Sequence, residues 1–212
     1  MRTNTLIAYT TVLFLALCSG PDQGPEAKPS SNAEEAPDAT EVHIQSVRRV
    51  YGEAMKAPLS KIEFECEEEP YLGEIQMRKK DGKLIWISYS GGYEHGATTY
   101  EALIDNGEVI FAMKEESSWN FDIDHPAGDD GVGFTVDSAV QDRYYFMDGE
   151  VLRALRKEAE AKSFKKETLD KKLNAAPNRP NPSPEGPEVL SKVNALLRAL
   201  KENNLKSTYC GL

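Results

Sequence analysis

The residues of this chain that could do chemistry are few and scattered. Asp122-Ile123-Asp124-His125-Pro126-Ala127-Gly128-Asp129-Asp130-Gly131 gathers four carboxylates in one short loop. Carboxylate oxygens two residues apart can share a calcium ion. Pro126 stands where an EF-hand needs a ligand and no closing Glu follows, so a solvated turn is the simpler reading. A second acidic run, Glu65, Glu67, Glu68 and Glu69, surrounds Cys66. Paired carboxylates about 5–9 Å apart in a cleft cleave glycosidic bonds, but nothing in this spacing selects two of them. His43, His95 and His125 are too far apart in sequence for ligand spacing. One of them beside Ser88, Ser90 or Ser117 could make a nucleophile pair, yet no nucleophile-elbow motif surrounds these serines. Gly91-Gly92 lies between strands and not before a helix, so it is no phosphate cradle. The expectation is a chain with no catalytic residue, no cofactor and no metal site.

The cysteines say more. Met1-Arg2 is a short positive start, Leu6 to Leu17 is apolar apart from Thr10 and Thr11, and Cys18 follows at once. A span across a bilayer takes about 20 apolar residues, so this run reads as an export signal. Leu15-Ala16-Leu17-Cys18 resembles a bacterial lipoprotein box, with Leu17 where the box carries Gly, Ala or Ser. That resemblance implies lipidation of Cys18; ordinary secretory cleavage nearby is the alternative. The Gly/Pro/Ala/Glu/Ser stretch from 19 to about 40 reads as a disordered tether, which an anchored domain needs to stand off a membrane. Cys66 and Cys210 remain after processing. Export makes a disulfide between them the leading expectation, with two buried free thiols as the alternative. Without a Cys-x-x-Cys pair or Cys/His cluster, neither zinc nor redox chemistry is expected.

Charge excludes some partners. The 212 residues carry 35 Asp and Glu against 25 Lys and Arg, a formal charge of −10 with no basic stripe. Nucleic acid and anionic head groups are therefore poor partners. Aromatics are the better lead. Trp86, Tyr89, Tyr93, Tyr144 and Tyr145 read as strand core, whereas Trp119 and Phe121 have less obvious core to join. Those two form the candidate recognition patch.

The elements that must position these residues can be read in order. Asp38 and Glu41 make a start signal for a helix from Thr40 to Lys56, with Ile44, Val47, Val50, Tyr51, Ala54 and Met55 on one stripe. Pro58 closes it. Three units then repeat: Lys80-Asp81-Gly82-Lys83-Leu84-Ile85-Trp86, Asp105-Asn106-Gly107-Glu108-Val109-Ile110-Phe111 and Met147-Asp148-Gly149-Glu150-Val151-Leu152-Arg153. Each Asp-Gly or Asn-Gly pair suits a tight hairpin turn between β-type runs. Three hairpins make six strands, and Ile62 to Cys66 is the candidate seventh, with its apolar face, Ile62, Phe64 and Cys66, toward the core. A long loop is expected from Ser117 to Gly133. Beyond Leu155, the Ala, Lys and Glu content predicts a charged helix from Arg156 to Leu173. Five prolines make Ala175 to Pro187 an extended linker. The last helix, from Glu188 to Asn203, carries Leu190, Val193, Leu197 and Leu200 on one face and should dock on the sheet.

The fold class is therefore α+β: an antiparallel β-meander of about six to seven strands with an N-terminal and a C-terminal helix packed on it. The divisions are 1–18 signal, 19–40 tether, 41–174 main domain, 175–187 linker, and 188–212 C-terminal helix and tail. Tyr144-Tyr145-Phe146-Met147-Asp148-Gly149-Glu150-Val151, and more loosely Tyr100 to Gly107, resembles the Tyr-Tyr-Phe-x-Asp-Gly-x-Leu/Val repeats of a group of small bacterial secreted proteins and lipoproteins. In that group a signal and a cysteine precede a helix and then such hairpins. The resemblance covers about residues 42–155, implies hairpins and carries no activity over. The expectation for function is an exported, lipid-anchored, non-enzymatic binding or accessory module of the bacterial envelope. Its partner would be a protein or glycan, not nucleic acid, and it would touch membrane only through its anchor. The alternatives are a soluble secreted form, an acidic inhibitor or immunity-type protein against a basic enzyme, and a small hydrolase.

Overall fold

Three dipeptides set the register of the sheet. Asp81-Gly82, Asn106-Gly107 and Asp148-Gly149 all have positive φ at both residues (51° and 76°, 49° and 89°, 53° and 79°). That pair of conformations matches the right-handed twist of the strands it joins. Each turn is followed by the same irregularity. The pairing slips between Arg78 and Lys79, between Leu103 and Ile104, and between Tyr145 and Phe146. Ile85, Ile110 and Leu152 are the extra residues, so the sequence repeat is a turn-plus-bulge repeat.

The computed structural model describes residues 38–66, 72–125, 127, 131–182 and 185–210. The chain divides into units Met1–Ala36 and Pro37–Leu212, and the described residues belong to the second. Cys18, the signal and nearly all of the tether lie outside them, as do Glu67, Glu68, Glu69, Pro126, Gly128, Asp129 and Asp130.

The order is α1 (Ala39–Ala54), β1 (Leu59–Glu65), β2 (Leu72–Lys80), β3 (Lys83–Tyr93), β4 (Gly96–Asp105), β5 (Glu108–Phe121), β6 (Thr135–Met147), β7 (Glu150–Lys162), a 3-10 turn (Ser163–Lys165), α2 (Leu169–Ala175), β8 (Arg179–Pro180), α3 (Gly186–Glu202) and α4 (Leu205–Tyr209). The strands form one antiparallel sheet in sequence order, β1 to β8. This is the α+β meander expected, extended to eight strands by a short β8.

Both faces of the sheet are covered. On one, Met77, Ile87, Ala102, Ala112, Tyr144 and Ala154 stand opposite one another strand by strand. Helix α3 lays Val189, Val193 and Leu196 onto this side, each worth about 1.5–3 kcal/mol when fully buried. The helix starts close in: a methyl on Gly186 would collide with Val151 and crowd Tyr144. The expected stripe is rotated, because Leu190, Leu197 and Leu200 sit at its half-buried margin. On the other face the row is Arg78, Trp86, Leu103, Phe111, Tyr145 and Arg153. Helix α1 covers it with Ile44, Val47 and Ala54. Asp38 caps that helix by accepting from Thr40 N at 3.1 Å.

Two local expectations are corrected. The charged helix over 156–173 is strand as far as Lys162. Alternation decides it: Lys157 and Ala161 are buried while Glu158 and Glu160 are exposed, and pairing with β6 outweighs the helix preference of Ala, Lys and Glu. Among its described residues the proline-rich stretch is tied to the sheet, Arg179–Pro180 pairing with Leu155 and Arg156. Just before it, Lys157 Nζ donates to the carbonyls of Leu173 and Asn174 at the end of α2. Asn181 donates to Asp142 Oδ1 at 2.9 Å and to the Tyr144 hydroxyl at 3.2 Å on the α3 face. In β1, Phe64 is half-buried and Cys66 buried, but Ile62 is exposed, since β1 is an edge strand.

Cys66 and Cys210 form a disulfide that closes 144 residues. It holds α4 against the α3-covered face, where Tyr209 stacks on Tyr89 at 4.3 Å. Reducing it, or Cys210→Ser, should lower stability by about 2–5 kcal/mol, toward the upper end for so long a loop. Urea unfolding with and without reductant checks this, and coincident midpoints would show that the bridge contributes nothing.

Candidate functional site

A carboxylate in the middle of a strand is the least expected residue of the α1-covered face. Alternation gives Glu101 the parity of Leu103, and register places it between Ser88 and Met113. It is 8% exposed. Its Oε1 accepts from Trp86 Nε1 at 2.8 Å, and the Tyr51 hydroxyl of α1 donates to it as well. Burial pushes the Glu101 carboxyl above the usual carboxylate range, against the pull of these two donors and of the Arg143 charge. Burial first, then the neighbouring Glu101, raises the Tyr51 phenol far above its ordinary value, so it stays a donor.

Glu101 and Tyr51 open onto a cavity of about 390 Å³, floored by Phe111, Met113 and Tyr145 and rimmed by Arg48, Arg143 and Asn178. Apolar walls with a few convergent polar groups are the usual makeup of a small-molecule site. Helix α1 positions Arg48 and Tyr51 one turn apart. The bulges place Phe111 on the row beneath them, and the 176–180 segment brings in Asn178 from the edge.

A second cluster lies at the end of the strands away from the Asp-Gly turns. Trp119 and Phe121 are on β5 itself, not in a loop: the strand runs to Phe121, and the connection to β6 covers only 122–134. Trp119 is half-buried, its ring 4.3 Å from His95 and edge-on to Phe121 at 5.5 Å. Phe121, Ile123, Val132 and Tyr93 are 63%, 92%, 65% and 53% exposed, which makes this end an apolar patch.

The other candidates from sequence are dispersed. His43 Nε2 donates to the Phe146 carbonyl at 2.9 Å. His125 Nδ1 meets Asp122 Oδ2 at 3.1 Å, and its ring stacks on Phe164 at 3.6 Å. Asp122 Oδ1 accepts from Asp124 N, so this buried carboxylate braces the loop from within. Ser90 is bonded by Thr99, and Ser117 donates to the Ala97 carbonyl. Among the described residues no three His, Cys, Asp or Glu side chains converge. Glu101, Tyr51 and Arg143 escaped the sequence reading. The available signal was an acid at an apolar-parity position in the strand Thr99 to Ile104.

Comparison with known proteins returns no matching family, no matching curated protein and no matching solved structure.

Glu101→Gln keeps an oxygen for Trp86 and removes the titrating acid. A carboxyl whose folded pKa is raised stabilises the fold below its unfolded pKa and loses that contribution as pH rises through the folded value. The stability of the variant relative to wild type should therefore increase from acid to neutral pH. Paired urea titrations across that window check it, and a constant difference would refute a raised Glu101. Trp86→Phe removes a donor to the same buried acid and should cost about 1–3 kcal/mol.

Proposed function

We propose that this protein is an exported, non-enzymatic binding module, held at the bacterial envelope by lipid on Cys18, that engages a partner protein or glycan through the aromatic end of its sheet. The observation that carries the reading is the exposure of Tyr93, Phe121, Ile123 and Val132 around half-buried Trp119 on a chain of net charge −10. Large apolar side chains grouped on an otherwise charged surface are interface material, and aromatics make its anchors. The Cys66–Cys210 bridge supports export, since such bonds persist in oxidising compartments. No helix among the described residues is long and apolar enough to cross a membrane. The lipid on Cys18 rests on the resemblance of Leu15-Ala16-Leu17-Cys18 to a lipoprotein box, with the span between it and α1 as the tether.

Two measurements in the native host test the reading. Wild type should carry acyl mass and partition with membrane, and Cys18→Ser should do neither; a lipid-free wild type removes the anchor. A photo-reactive residue at Ile123 should capture a defined partner that the same residue at Asp148, at the opposite end, does not. Equal capture at both positions, or at neither, removes the aromatic end as the recognition surface.

A further inference from the structure

The cavity beneath α1 holds a guanidinium that, among the described residues, has no carboxylate at ion-pair distance. Arg143 stands on β6 between Met113 and Leu155 in register. Its Nε donates to the Gln141 amide oxygen at 2.6 Å and its Nη1 to that of Asn178 at 3.4 Å. Both acceptors are neutral, and among the described residues no carboxylate comes within ion-pair distance of it. The neighbouring arginines on β7 differ. Arg156 grips Asp142 through two contacts of 2.7 Å, and Arg153 meets Glu41 at 2.9 Å. Glu101 lines the same cavity, yet its carboxylate is already met by Trp86 and Tyr51. Arg48, also on the rim, reaches Glu41 only at 3.8 Å, and Arg153 already holds that acid. The site thus joins one oriented guanidinium held only by amides, a second loosely tied one, and an apolar wall of Phe111 and Met113 in about 390 Å³. That volume falls within the roughly 300–1,000 Å³ of small-molecule pockets.

We infer that this cavity binds a small organic monocarboxylate, its head group on Arg143 and its apolar body against Phe111 and Met113. A planar carboxylate matches the geometry of a guanidinium edge, and the charge-assisted pair is about twice as strong as a neutral hydrogen bond. A dianion such as phosphate suits the site poorly, because Glu101 lines the same cavity and, of its two arginines, only Arg143 has no carboxylate partner among the described residues. Arg48, on the half-exposed rim, closes over the bound head group. This site is separate from the aromatic end and does not rest on the partner reading.

Titration of the full, disulfide-bonded chain with 2-naphthoate, followed by calorimetry and by NMR of the Trp86 indole N–H, tests the inference. Its neutral isostere 2-naphthylmethanol is the control. The expected result is saturable one-to-one binding of the carboxylate that moves the Trp86 signal, with the alcohol at least about tenfold weaker. Arg143→Gln should weaken naphthoate by about tenfold or more, and Met113→Trp, which fills the wall, should abolish it. Arg48→Gln, on the exposed rim, weakens naphthoate but not the alcohol, and keeps the test decisive if Arg143→Gln fails to fold. Absence of saturable binding, equal affinity for acid and alcohol, or unchanged affinity in both arginine variants would overturn the inference.

Discussion

The slip in pairing two residues past each Asp-Gly or Asn-Gly turn is the constraint on which the rest of the structure depends. An alternating strand can show only one parity to each face, so one extra residue moves everything beyond it to the opposite side. In all three units the fourth residue after the turn glycine, Trp86, Phe111 and Arg153, falls on the same cross-strand row. Leu103 and Tyr145 fill the places between them, and Arg78 starts the row. Helix α1 rests on that row and the 390 Å³ cavity opens beside it. Without the bulges, Ile85, Ile110 and Leu152 would take those places, and the aromatic floor would turn toward α3.

Covering both faces of an antiparallel sheet sets a second condition. One solvated face is usual for such sheets, but here the centre has no solvent side, and each polar residue there needs a partner. Most have one built in. Asp142 is met by Arg156 and Asn181, and Lys157 caps the end of α2. These pairs tie the chain at 173–174 and at Asn181 to the edge of the sheet. Glu101 and Arg143 differ in having only uncharged partners. The acid is held by an indole and a phenol, and the base only by amide oxygens. Burying an acid and a base on one face without joining them is costly for stability. The same arrangement leaves hydrogen-bonding capacity facing a cavity, as a binding site requires.

Much of this fold was legible in the sequence because its signals are local. The Asp-Gly and Asn-Gly pairs announce positive φ, Asp38 announces the start of α1, and the Ile44/Val47/Tyr51/Ala54 stripe declares its buried side. Cys66 and Cys210 were the cysteines left to pair. The misread elements are those settled by distant partners. Residues 156–162 have helical composition and become strand because β6 is long enough to pair with them. Trp119 and Phe121 seemed to lie in a loop because β5 continues through polar Glu115 to Ser118, where alternation carries no apolar signal. The candidate site was the least legible part. Glu101, Tyr51 and Arg143 lie on three different elements, and only register and bulges bring them to one cavity. Arg143 in particular looks like any strand arginine until its neighbours prove to be amides.

The meander also divides the molecule by end. All three Asp-Gly or Asn-Gly turns are at one end, where each allows only two residues and a fixed geometry. The other end carries the β1–β2, β3–β4 and β5–β6 connections, and two of these are long. Loops on a rigid scaffold are where recognition residues gather, because they vary in length and chemistry without disturbing the register below. Here that end holds Tyr93, His95, Trp119, Phe121 and the Asp122–His125 brace, while the core rows stop short of it. Asp122 is buried, takes its bonds from Asp124 N and His125, and donates its own N–H to the Phe134 carbonyl beside β6. These bonds fix the chain at 122–125 beside exposed Phe121 and Ile123, and such pre-organisation lowers the entropic cost of binding.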